Sequence, residues 1–204
     1  MSSKPNPGGR PRDPAITQAL FDAAERAVEA EGFSALTVDS LVKQVGANRP
    51  AFYRRFRSLP ELVFEIIRRH FGHDAPPQTG SLASDLLTLQ RDDVQMLGSD
   101  LMRRNLPGLF EAMRVDPTIA ELYHTHFISP RREHVGAVIQ AAVNRKEISP
   151  PTADLEYICD LLFGPLLARL LLPAGQPLDD DLAQATVATA LRELHGPDTK
   201  HEQP

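Results

Sequence analysis

Within nine positions, Arg49 to Arg57, the chain places Arg49, Tyr53, Arg54, Arg55 and Arg57. Guanidinium forks grip phosphates or the O6/N7 edge of guanine, and a phenol hydroxyl donates to phosphate, so this group suits contact with duplex DNA. Phe52 and Phe56 stand among the cations at i and i+4, the spacing that lets two rings anchor a short helix from one side. Pro50 falls in the first turn, where its missing N–H costs nothing, and with Ala51 is expected to form a small apolar tip for a thymine methyl. On this reading Arg49 reaches a guanine edge, while Tyr53, Arg54 and Arg55 reach phosphates. Thr37 opens the preceding helix and offers a hydroxyl and free N–H groups to a further phosphate.

No other chemistry has a comparable pattern. There is no phosphate-cradling glycine loop, zinc signature or nucleophile elbow, so neither an enzyme nor a cofactor is expected. His124 and His126 are two apart and point to different faces of a helix; His70 and His73 border a glycine break. None of the seven histidines is expected to bind a metal. Asp179-Asp180-Asp181 opens a helix, where the dipole favours negative charge. Cys159, the one cysteine, excludes an internal disulfide framework and fits a reducing compartment. With no apolar leader at its start, the chain is expected to be cytoplasmic and to have no membrane partner.

The elements that position the basic cluster are all helical. Ile16, Leu20, Ala23, Ala27 and Val28 set a first helix near 14–31, ended by Gly32. Thr37 caps a second, with Val38, Leu41, Val42 and Val45 on one face, and Gly46 turns the chain. Asn48 caps the short basic helix, and Leu59 to Phe71 form a fourth. Longer helices follow near 81–103, 106–114, 117–146, 153–172 and 179–194. No segment alternates with period two. The 18 prolines mostly mark boundaries, among them Pro107 and Pro117 at helix starts; Pro130 and Pro165 lie inside helical patterns and predict kinks.

The resulting fold class is all-α, about nine helices, in four parts: a flexible basic arm at 1–13, a helix-turn-helix unit at 14–58, a larger helical body at 59–195 and a disordered tail at 196–204. Charge follows the division. Residues 1–73 hold 11 Lys/Arg against 8 Asp/Glu, +3, and the remainder 11 against 19, −8, so the net charge of −5 hides a basic head on an acidic body.

The stretch from Leu36-Thr-Val38 through Gly46-Ala-Asn-Arg-Pro-Ala-Phe-Tyr-Arg-Arg-Phe56 to Glu61-Leu62, with Glu31-Gly-Phe33 before it, resembles the TetR family of one-component transcriptional regulators. Gly164-Pro-Leu-Leu-Ala-Arg-Leu170 is similar to a segment near the penultimate helix of many members. The resemblance implies a homodimer with two helix-turn-helix heads, a ligand cavity in each body, and DNA contacts from Thr37, Arg49, Pro50, Ala51, Tyr53, Arg54 and Arg55. Many members place a lysine at the start of the fourth helix, where this chain has Leu59, and Arg57 is the nearest substitute. Arg10 and Arg12 suit an arm reaching into the minor groove or a solvated tail.

In the body, Asp93, Met96, Arg103, Phe110, Met113, Tyr123 and Phe127 are candidates to line an effector cavity. Leu155, Ile158, Leu162, Leu166, Leu170 and Leu191 are candidates for dimerisation, since the helix near 153–172 is apolar on two sides. The function expected is a ligand-responsive repressor that binds a palindromic DNA operator as a homodimer and is released by a small-molecule effector. The alternative is an all-helical small-molecule-binding protein or enzyme with no DNA-binding role.

Overall fold

A computed structural model describes residues 13–71, 75–172 and 175–195. Arg10 and Arg12 of the expected arm, and the expected tail, lie outside them. Asp13 caps the first helix, α1 (Pro14–Ala30), by accepting from the Ala15 N–H at 2.9 Å. Gly32, at φ 81°, takes a left-handed turn into a 3₁₀ turn, Phe33–Ala35. Thr37 and Asn48 then cap α2 (Val38–Gln44) and α3 (Arg49–Tyr53), and Gly46, at φ 64°, turns the chain between them. The fourth helix, α4 (Leu59–Phe71), leads into the body.

The body contains α5 (Leu82–Gly98), α6 (Asp100–Val115), α7 (Pro117–Tyr123), a π-helical segment (His124–Ile128), α8 (Ser129–Asn144), α9 (Leu155–Leu171) and α10 (Asp180–His195). Two boundaries differ from the sequence reading. The break expected near 104–105 falls at Ser99, whose hydroxyl accepts from the Met102 N–H and donates to the Met96 carbonyl, ending one helix and starting the next. Pro107 accordingly lies inside α6 and not at a helix start. The helix expected over 117–146 is one rod interrupted by the π-helical segment just before Pro130. That wider turn relieves the clash between a proline ring and the carbonyl four residues back. Asp179 caps α10 by accepting from the Leu182 N–H at 3.1 Å, and Asp180 and Asp181 occupy its first turn.

Two apolar cores hold these elements. The first joins head to body: Leu20, Phe21, Val28, Leu41, Phe52, Leu62 and Ile66 pack with Leu97, Leu101, Leu106, Leu109, Ile119 and Leu166. Each fully buried side chain of this size stabilises the fold by about 1.5–3 kcal/mol. The second core gathers Leu82, Leu86, Val135, Val138, Ile158, Leu162, Val187 and Leu194 from α5, α8, α9 and α10. Gln90, wholly buried, stitches α5 to the last two helices by donating to the Leu162 carbonyl and to Thr186 Oγ1. Among the described residues no helix is long and apolar enough to cross a membrane.

This packing corrects the dimerisation candidates. Ile158, Leu162 and Leu166 are buried in the chain's own cores and are not available to a partner. Leu170 and Leu191 are half-buried, and Leu155 is exposed. Tyr157, Leu161, Gly164, Ala168 and Leu171 form the opposite stripe of α9, all exposed except the half-buried Leu161.

Candidate nucleic-acid interface and effector cavity

The short basic helix is held rigidly from behind. Phe52 is fully buried and Phe56 nearly so; Phe56 meets Phe21 edge-on at 5.2 Å, and Phe52 packs on Phe56 at 5.5 Å. Asn48 Oδ1 accepts from the Ala51 N–H at 2.9 Å, closing the first turn. Thr37, Arg49, Pro50, Tyr53 and Arg54 are all exposed around this frame, together with Ser40, Lys43, Gln44 and Asn48. Arg49 pairs with Asp39 at 3.0 Å, but both side chains are more than half exposed, so the pair is weak and a DNA base can compete for it. Tyr53 stands edge-on to Phe52 at 5.3 Å and is exposed. Thr37 Oγ1 accepts from the Ser40 N–H at 3.1 Å, so its hydroxyl already caps α2.

Two expected contacts are corrected. Ala51 is only 6% exposed and cannot offer a methyl to thymine, because α3 is so short that its third residue already faces inward. Arg55 is a strap and not a phosphate grip. Its Nε donates to Thr17 Oγ1 at 2.8 Å, Nη1 to the Ala51 carbonyl at 2.8 Å and Nη2 to the Asp13 carbonyl at 3.0 Å. It thereby ties the end of α3 to the start of α1. Leu59, where many family members carry lysine, is half-buried against the first core. Arg57 is exposed next to it, and its backbone N–H donates to the Glu61 carboxylate. Ser40 and Lys43 join this face without having been among the sequence candidates; they lie about one and two turns after Thr37 on the exposed side of α2.

In the body, α4, α5, the π-helical segment, α8 and α9 enclose a cavity of about 450 Å³. Asp93, Met96, Tyr123 and Phe127 line it, with Phe71, Leu89, Met102, His126, Arg131, His134 and Phe163 among the rest. Three other candidates do not: Arg103 is exposed, and Phe110 and Met113 pack against the head–body core, with Phe110 edge-on to Tyr123 at 5.8 Å. One continuous helix over 81–103 keeps Arg103 in line with Asp93 and Met96, whereas the break at Ser99 turns it away.

Arg131 was missed in the sequence, and it organises the polar wall. Its Nε donates to Asp93 at 2.6 Å, Nη2 donates to Gln90 Oε1 at 3.1 Å, and the guanidinium lies over the Phe163 ring at 4.7 Å. Tyr123 is largely buried beside this pair, and burial followed by the nearby Asp93 carboxylate pushes its phenol pKa well up. Its ring stacks on Phe127 at 5.5 Å, and both rings pack on Phe64 of α4, at 5.8 and 5.5 Å. Arg68, Arg69 and Phe71, from the last turns of α4, close the same cavity. Cavity and short basic helix thus share α4, whose other end is separated from α3 by five residues.

Comparison with known proteins agrees with this arrangement. Residues 20–66 match the family model described as bacterial regulatory proteins, tetR family, and residues 76–190 match the tetracyclin repressor-like C-terminal domain. The chain is 27% identical over 187 residues to the uncharacterised helix-turn-helix transcriptional regulator YdeS of Bacillus subtilis, covering 90% of this chain and 92% of that one. It is 29% identical over 183 residues to the corresponding regulator Rv1556 of Mycobacterium tuberculosis, covering 87% and 89%. Among solved structures, the TetR family regulator SCO0332 superposes with a TM-score of 0.68 at 24% identity, covering 86% of this chain and 96% of that one. FadR from Bacillus subtilis in complex with stearoyl-CoA superposes with 0.65 at 12%, covering 88% and 100%. With both halves matched over most of its length, the chain belongs to the TetR family of helix-turn-helix transcriptional regulators.

Proposed function

We propose that this protein is a repressor that binds a palindromic operator as a homodimer and leaves it when an organic effector fills the body cavity. The observation that carries the reading is the exposed face of Thr37, Arg49, Pro50, Tyr53 and Arg54 on a helix fixed from behind by Phe52, Phe56 and Arg55. In this reading Arg49 leaves Asp39 for a base edge, and Tyr53, Arg54, Lys43 and the N–H groups at Thr37 hold phosphates. Dimerisation falls to the stripe Tyr157, Leu161, Gly164, Ala168 and Leu171 of α9, flanked by exposed Ala185 and Ala188 of α10. Small residues at the centre of that stripe let two copies approach closely, and two heads then read half-sites about one DNA turn apart.

An effector that displaces Tyr123 or Phe127 pushes on Phe64, and one that engages Arg68 or Arg69 pulls directly on the end of α4. A differential affinity of about 1–3 kcal/mol between the two head positions changes operator binding by roughly 5–150-fold. The lining mixes aromatic and aliphatic side chains with the charged Arg68, Arg69, Asp93 and Arg131, which suits a small amphipathic organic molecule. Two proteins of similar fold support an organic effector: FadR was solved with stearoyl-CoA, and FrrA is a flavonoid-responsive regulator. The test is selection of bound fragments from the source genome, followed by titration of the best fragment at several salt concentrations. A palindromic site with steep salt dependence is the expected result, and the absence of any salt-dependent duplex binding would refute the reading.

A further inference from the structure

Outside the reading face and the cavity, Glu25 and Glu29 of α1 and His70 of α4 bring three metal-ligating side chains together. One ligand atom from each lies within 4.8 Å of the other two. The two glutamates are one helical turn apart on the same side of α1, and His70 stands in the last turn of α4 facing them. His70 Nε2 contacts Glu25 Oε1 directly. Glu29 is exposed and makes no side-chain hydrogen bond or ion pair among the described residues.

Arg26 is exposed one turn before Glu29 and Arg104 donates to the Ala30 carbonyl at 3.0 Å, but neither is paired with Glu25 or Glu29. The last turn of α1 holds no basic residue, Glu31 follows as its cap, and partial negative charge already gathers at this end of a helix. Like charges at i and i+4 also repel. Arg69 of α4 is engaged elsewhere: it pairs with Glu65 at 3.5 Å and lies over the Phe21 ring at 3.5 Å. A cation held between Glu25 and Glu29 removes both penalties.

We propose that Glu25, Glu29 and His70 form a binding site for a divalent transition-metal ion of the Zn²⁺ class, with water filling the remaining position. An imidazole nitrogen with two carboxylate oxygens suits such an ion, whereas Mg²⁺ and Ca²⁺ prefer all-oxygen shells. Ligand atoms around tetrahedral zinc lie about 3.4 Å apart, as bonds of about 2.1 Å require. The direct His70–Glu25 contact is tighter than that, so an ion entering the site takes the place of this hydrogen bond, with Glu29 as the third ligand. The bound ion joins the head helix α1 to the end of α4, beside the three α4 residues at the cavity mouth. On the regulatory reading above it resists the movement of α4 that an effector drives; the site itself does not depend on that reading.

The full chain titrated calorimetrically with ZnCl₂ in the absence of DNA is the test, with Glu29→Gln and His70→Gln as variants and MgCl₂ as the control ion. One Zn²⁺ per chain is expected, at least about tenfold weaker in either variant, with no Mg²⁺ heat. Because Glu29→Gln breaks no contact of the fold, its melting temperature without metal is expected to match that of the parent. Co²⁺ bound in place of Zn²⁺ is expected to give visible absorption bands that both variants lose. Equal Zn²⁺ binding by parent and variants, or none by the parent, overturns the proposal. Loss of DNA binding in a separate experiment would count against the repressor reading alone.

Discussion

Arg54 and Arg55 are neighbours in sequence but have opposite environments. Arg54 is exposed on the reading face, while Arg55 gives three N–H groups to Thr17, Ala51 and Asp13. Arg54→Ala is expected to leave the melting temperature unchanged, weaken operator binding and reduce the salt slope by about one unit. Arg55→Ala is expected to destabilise the fold by about 1–3 kcal/mol, because it removes three hydrogen bonds, two of them part-buried. Thermal denaturation together with binding at several salt concentrations separates the two; identical behaviour would show that the strap carries no stability. The residue types in this stretch were legible from sequence, but their direction was not. A helix of five residues offers no long periodicity, so which of two adjacent arginines turns inward is decided by the meeting of α3 with the start of α1. Ala51 faced inward for the same reason. Tyr123 gives a second test at this scale. Its phenol is held neutral by burial, so its ionisation lags; the stability this contributes is full below the ordinary tyrosine value and is lost as pH rises from there through the raised one. In an ultraviolet pH titration of the three tyrosines, the latest step is expected to vanish in Tyr123→Phe.

At the scale of elements, α6 joins the head to the body as firmly as α4 does. Asn105 is wholly buried in α6, and its Nδ2 donates to the Val28 carbonyl of α1 at 3.1 Å and to the Leu101 carbonyl at 2.6 Å. Arg104 donates to the Ala30 carbonyl at 3.0 Å, and a side chain at Gly108 would meet Phe33 and Ser34 at 3.1 Å. Asn105→Ala is expected to cost about 1–3 kcal/mol and to speed amide exchange in the last turn of α1. Unchanged exchange there would mean that the seam is held by apolar packing alone. The sequence made the head legible almost to the residue, because Asp13, Thr37 and Asn48 are caps and Gly32 and Gly46 take left-handed turns. Its signals failed between 99 and 130. Ser99 is a cap inside an otherwise continuous helical pattern, Pro107 sits in a helix interior, and the π-helical turn before Pro130 has no periodicity of its own. The cavity candidates fared unevenly for the same reason: Asp93 and Met96 precede the break and line the cavity, while Arg103 follows it and faces water.

For the whole molecule, the undecided quantity in the sequence was which side of α9 is left for the partner of the proposed dimer. A helix apolar on two sides has no amphipathic contrast to orient it, and only the packing of α5, α8 and α10 assigns Ile158, Leu162 and Leu166 inward. The stripe left outside runs Tyr157, Leu161, Gly164, Ala168, Leu171, in steps of three and four residues, with the exposed alanines of α10 beside it. On a body carrying −8 of formal charge, a strip of this kind that lacks charge is where two copies meet with least repulsion. Ala168→Arg tests this assignment well, because Ala168 is exposed and a longer side chain there disturbs no contact inside one chain. The variant is expected to keep its helical circular dichroism and sediment as a monomer. It should also lose most operator affinity, since one head alone holds a single half-site. A variant that sediments as a dimer with unchanged operator affinity would place the partner surface elsewhere on the body. A monomer that still bound the full palindrome tightly would break the link between α9 pairing and DNA reading.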